Sequence, residues 1–130
     1  MNDVHEDSII HFPEGLPGFE QCRRFVLVSS EEIAPLQYLQ GIDAPQPSFL
    51  TVDPALVLPS YRCVLGESDR ARLGTEAAEL VHLALVTVNG GDGAVVNLRA
   101  PVVVNSKRMV GLQVIPYDSS YPISHPLVAS

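Results

Sequence analysis

Short apolar segments cut by proline and glycine run the length of the chain, a pattern that predicts strands rather than helices. Ile9–Phe12 reads as a first strand, closed by the turn-rich stretch Pro13–Gly18. Arg24–Val28 reads as a second, with Phe25 and Leu27 on one face and Val26 and Val28 on the other. At most one helical turn fits at Glu31–Ile33, because Pro35 follows. Leu36–Gln40 and Ser48–Val52 come next, separated by Pro45 and Pro47. Asp53–Pro59 suits a helical turn: Asp53 can accept an N-terminal N–H bond, and Pro54 fits the first helical position. Ser68–Gly74, with a serine to cap it and a glycine to stop it, predicts a second short helix.

The last third is the most regular. Leu80–Val88 is a nearly all-apolar strand, expected to be covered on both faces. Gly90–Gly93 reads as a hairpin turn tolerant of positive φ. Ala94–Asn105 then alternates: Val96, Leu98, Ala100, Val102 and Val104 point one way, while Asn97, Arg99, Val103 and Asn105 point the other. Pro101 marks an edge or a bulge. Ser106 and Lys107 turn the chain into Met109–Ile115, so three consecutive strands form an antiparallel meander. The expected fold is mostly β, a barrel or a sandwich, with two short helical turns.

Composition narrows this further. A length of 130 residues predicts one domain over 1–130, with its core at about residues 9–127. Hydrophobic residues at 46% against 18% charged argue against disorder and against a coiled coil. No apolar run approaches the roughly 20 residues that span a bilayer, so no membrane partner is expected. Eight basic side chains against fifteen acidic give a net charge of −7. One lysine and seven scattered arginines are too few for a counterion-releasing hold on DNA or RNA. Direct nucleic-acid binding is not expected; an acidic surface favours basic partners instead. Met1–Asp7 has neither a basic nor an apolar signal region, so the expected compartment is the cytoplasm. Cys22 and Cys63 sit in apolar, strand-like segments without metal spacing and are expected reduced and buried.

The chemical inventory is thin. No serine lies in a GxSxG elbow, and His5, His11, His82 and His125 lack the spacing of a zinc site, so neither metal nor cofactor is expected. Gly90–Gly93 lacks the Lys-Ser/Thr and the helix that a phosphate cradle needs. One constellation is worth weighing: Asn97, Arg99 and Asn105 share a strand face over which the tail 117–126 could fold, with His125 as general base oriented by Asp118. Without a nucleophile or oxyanion donor, the asparagines are better read as closing turns and sheet ends. His82 reads as a core histidine, and Phe12, Phe19, Phe25 and Phe49 as core. Leu16 and Phe19, apolar residues beside Pro17 and Gly18, are the first suspects for an interaction surface.

Phe12–Phe19, reading FPEGLPGF, resembles the opening signature of the flagellar assembly factor (FliW) family. Ser48–Pro54, Leu85–Val88, Asn97–Asn105, Gly111–Val114, Tyr121–Pro122 and His125–Leu127 follow in the family's order, covering about Ile9 to Leu127. The resemblance implies a compact, barrel-like antiparallel β domain without catalytic activity. It also implies two protein partners in the cytoplasm: unexported flagellin, and the carbon storage regulator (CsrA), a small RNA-binding protein that represses flagellin translation. In that scheme the factor binds the regulator and prevents RNA binding, while accumulating flagellin competes for the factor. The residues taken as partner contacts are Leu16 and Phe19 on the loop, Arg99 and Asn105 on the exposed meander face, and acidic Asp43 and Asp53. Two alternatives stand beside this reading: a chaperone that serves flagellin only, and a small-molecule enzyme using His125 and Asp118.

Overall fold

The computed structural model describes residues 8–74, 80–89, 93–116 and 119–127. Seven strands pair in chain order: β1 (Ile10–His11), β2 (Arg24–Ser29), β3 (Gln37–Gly41), β4 (Ser48–Val52), β5 (Leu80–Asn89), β6 (Gly93–Asn105) and β7 (Val110–Gln113). β7 returns to lie beside β1 and closes the ring as an up-and-down barrel. Every junction is antiparallel except β1 with β7, where His11 is opposite Val110 in parallel. Parity demands that exception, since seven alternating strands cannot close a ring without one like-directed pair. An additional short strand, β8 (His125–Pro126), lies against Val95 and Val96 of β6. The mostly-β, barrel-like architecture expected from the sequence is therefore the one found.

Period-two alternation fills the barrel. Ile10, Phe12, Phe25, Leu39, Leu83, Val102 and Val104 form its interior, with the Phe12 ring edge-on to Phe25 at 5.0 Å. The barrel also buries parts of its outer wall. Helix α1 (Pro54–Val57) and the C-terminal segment bring Val57, Leu58, Tyr121 and Leu127 over Val52, Ala84, Val86, Val96 and Leu98. Helix α2 (Glu67–Leu73) brings Leu73, and the segment before it Cys63 and Leu65, over Val103, Leu112 and Val114. Strands covered on both faces explain why the meander reads as almost continuously apolar. Coverage of β5 is confined to its middle; Val81 and Val88 at its ends are exposed.

Three sequence expectations need correction. Alternation along β6 is interrupted: Leu83 pairs with Val102 but Leu85 with Asn97, so two steps on β5 face five on β6. This bulge, next to Pro101, exchanges the faces of the strand. Val96 and Leu98 consequently lie outside the barrel while Val102 and Val104 lie within it. The cap of α2 is Gly66 rather than Ser68, which is inside the helix; the Gly74 stop is as expected, at φ 95°. Cys22 and Cys63 are free thiols, but neither sits in a strand, and Cys63 is only half-buried. Most of the expected Gly90–Gly93 turn, residues 90–92, lies outside the described residues.

Candidate functional site

The six residues singled out from the sequence separate into four places. Phe19 and Asp43 share one end of the barrel. There the turn 13–18 is folded by Gly15, whose φ of 65° and approach to the Glu20 backbone exclude a side chain. Leu16, expected on the surface, is 2% exposed and belongs to the barrel interior. The reason is that the turn folds back on itself, with Leu16 bridged to Phe19 and the Phe19 N–H donating to the Leu16 carbonyl at 2.7 Å. Phe19 stays half-exposed above it, edge-on to Phe49 at 5.4 Å. Beside it, Gly18, Phe19, Glu20, Gln21 and Pro45 line a hollow of about 260 Å³. Asp43 accepts from Arg24 Nη2 at 2.7 Å and from the Arg23 N–H at 3.3 Å. The bond from Arg24 is the main reason its carboxyl stays below the usual carboxylate value.

Asp53 caps α1 as expected: its Oδ1 accepts the Ala55 N–H at 2.9 Å, and Pro54 holds the first helical position. It lies between two hollows, one lined by Pro54, Tyr61, Arg62, Cys63 and Val64, the other by Pro35, Gln37, Val81 and Leu83, with His82 common to both. Their volumes are about 340 and 360 Å³. Half-burial pushes the His82 imidazole towards its neutral form, and Asp53 opposes this more weakly. Burial also raises the Cys63 thiol and the Tyr61 phenol, which keeps both protonated. Among the described residues, no three His, Cys, Asp or Glu side chains are grouped to hold a metal.

Arg99 is exposed on the β6 bulge. Asn97 Oδ1 accepts the Arg99 and Ala100 N–H groups at 3.0 Å each, and Arg99 Nε donates to the Tyr121 carbonyl at 2.8 Å. Asn105, expected on the same exposed face, is fully buried. Its Nδ2 donates to the Leu73 carbonyl at 2.7 Å, and its Oδ1 accepts the N–H groups of Lys107 and Arg108. It closes the β6–β7 turn and ties that turn to α2. The tail does fold over β6, but through the backbone: the N–H of Leu98 donates to the Pro122 carbonyl, and that of Leu127 to Ala94. His125 Nδ1 lies 2.8 Å from the Pro126 carbonyl, which can only accept, so that nitrogen carries the proton. Asp118, its expected partner, lies outside the described residues.

Two features escaped the sequence reading. Tyr121 is a clasp: its hydroxyl accepts the Arg62 N–H at 2.9 Å and its ring lies 4.7 Å from that of Tyr61. The Tyr121–Pro122 motif was its visible signal. The second is an exposed apolar row on the outer wall, recognisable only once strand register is known.

Together these observations define a closed up-and-down β-barrel protein, braced from outside by two short helices and a C-terminal strap. The FliW protein family matches residues 1–127. The flagellar assembly factor FliW of Natranaerobius thermophilus is 38% identical over 128 residues, covering 96% of this chain and 85% of that protein. That of Thermotoga neapolitana is 34% identical, covering 96% and 86%. A crystal structure of the flagellar assembly factor FliW superposes with a TM-score of 0.90 at 30% identity, covering 99% of this chain and 92% of the other. The chain belongs to the FliW family of flagellar assembly factors.

Proposed function

We propose that this protein is a partner switch in flagellar assembly, working in the cytoplasm as a single folded unit and without catalysis. It binds the carbon storage regulator CsrA, preventing that protein from holding RNA, and it binds unexported flagellin, which competes for it. The observation that carries this reading is agreement with FliW proteins over nearly the whole chain in both sequence and fold. Charge supports it: a protein of net charge −7 attracts a basic RNA-binding protein, and opposed fields speed encounter. The proposed contacts are Phe19, Asp43, Asp53 and Arg99, with Leu16 and Asn105 acting as supports beneath the surface.

The test is a calorimetric titration with the carbon storage regulator of the same organism, repeated with flagellin present. Saturable binding that flagellin suppresses is the expected result. Binding to flagellin alone would leave a dedicated flagellin chaperone. Phe19→Ala and Arg99→Glu are expected to weaken at least one partner about tenfold or more, as truncated interface anchors do; unchanged affinities for both partners would remove these residues from the interface.

A further inference from the structure

Strand register lines up a row of outward-facing side chains across five strands: Val28 opposite Tyr38, Tyr38 opposite Leu50, Leu50 opposite Val86, and Val86 opposite Val96. Directly opposed residues on one sheet face are in contact, so this is one continuous apolar band. Val96 is fully buried and Val86 is 8% exposed, both beneath α1 and the C-terminal strap. The other end is open, with Tyr38 39% and Val28 42% exposed. Val88, next along the outer face of β5, is 66% exposed. The band thus runs out from under its own cover onto a bare wall.

The charge around it has one sign. No lysine or arginine occurs between Arg24 and Arg62, or between Arg72 and Arg99, and these two stretches supply every residue of the band. Arg24, at the start of β2, is ion-paired with Asp43; Arg99 sits in the β6 bulge, its side chain bonded to the Tyr121 carbonyl. Glu31 and Glu32 sit in the β2–β3 connection, past the Ser29–Gln37 pair that follows Val28–Tyr38. Both are exposed, and neither is in an ion pair among the described residues.

We infer that this wall, centred on Val28 and Tyr38 and edged by Glu31 and Glu32, is the docking surface for a basic partner segment that presents apolar side chains between lysines or arginines. A second copy of the chain is a poor occupant, because isologous docking would set the acidic rims against each other. Within the function proposed above, on which this inference rests, the occupant is the RNA-binding regulator rather than flagellin. A protein that holds RNA phosphates must carry clustered cations, and an acidic, apolar wall complements them.

The experiment compares unsubstituted protein with Tyr38→Ala and with the double variant Glu31→Lys/Glu32→Lys in calorimetric titrations against the regulator and against flagellin. Glu67→Lys, on α2 at the β7 side, controls for positive charge added away from the wall, at half the change made by the double variant. Urea midpoints and sedimentation establish that each variant is folded and monomeric. Regulator affinity is expected to fall roughly tenfold or more for Tyr38→Ala and for the double variant. The double variant should also lose most of the salt dependence, with Glu67→Lys within about threefold of the parent. Parent-like regulator affinity in both wall variants overturns the inference while leaving the proposed function intact. A selective loss of flagellin binding, or dimerisation abolished by Tyr38→Ala, overturns the choice of occupant. Failure of the unsubstituted protein to bind the regulator overturns the function and this inference together.

Discussion

Asn105 and Asn97 look alike in the sequence, and their surroundings give them opposite tolerances. Asn105 is fully buried and uses both ends of its amide: Nδ2 donates to Leu73, and Oδ1 accepts from Lys107 and Arg108. Removing the side chain leaves the buried Leu73 carbonyl without this donor, at a cost on the order of 1–3 kcal/mol, and frees the exposed Lys107 and Arg108 N–H groups to water. Asn105→Ala is expected to lower unfolding stability by about 1–3 kcal/mol in urea titrations. Asn105→Asp should also lower stability, since a carboxylate cannot donate to Leu73 and would be desolvated at that buried position. Stability within experimental error of the parent for either variant would refute this account. The expectation that the asparagines close turns and sheet ends holds for Asn105, whereas Asn97 holds a bulge within a strand, and the exposed face expected for Asn105 is a buried one. A period-two pattern reports that two faces differ; it does not report that a helix, here α2, covers the outer one.

At the scale of the strand, β6 is the informative element. Its apolar residues alternate so regularly that the sequence reads as one unbroken face, with only Pro101 hinting otherwise. The bulge is held by Asn97, whose side-chain oxygen takes the N–H groups of Arg99 and Ala100 that no longer reach a neighbouring strand. An acceptor oxygen suffices there. Asn97→Asp is therefore expected to retain parent stability, whereas Asn97→Ala should lose about 1–2 kcal/mol by denaturant titration. Equal losses in the two would show that the bulge is held by something else. Short elements punctuated by Pro and Gly were legible because their signals are local: Asp53 and Pro54 mark α1, and Gly74 ends α2. The face exchange was not legible, because a bulge is defined by what lies across from it. The same limit hid the band from Val28 to Val96, whose members are distant in sequence and adjacent only through register.

At the scale of the whole molecule, an excess of acid sets how the barrel responds to pH, and two groups separate the response into windows. His82 is half-buried, and desolvation holds its imidazole below the ordinary value of 6.5. The unfolded chain then takes up a proton at a higher pH than the folded one. Its contribution to stability is complete above about 6.5 and declines as pH falls through the window beneath. Asp43 acts lower on the scale: Arg24 keeps its carboxyl below the ordinary 3.8, so its contribution is present above that value and lost below it. Urea midpoints are expected to drop between pH 7.5 and 5, and to drop again below pH 4. His82→Gln should flatten the upper step and leave the lower one. Asp43→Asn should weaken the lower step only, and modestly, because the Arg24 pair is exposed to solvent. An upper step that persists undiminished in His82→Gln would place its origin elsewhere. His82 borders both hollows beside Asp53, so the same titration followed by partner binding separates the roles of that end of the barrel. Regulator affinity that tracks the upper step would bring the His82–Asp53 end into the interface, whereas affinity flat from pH 7.5 to 5 would confine recognition to surfaces whose charges do not change there.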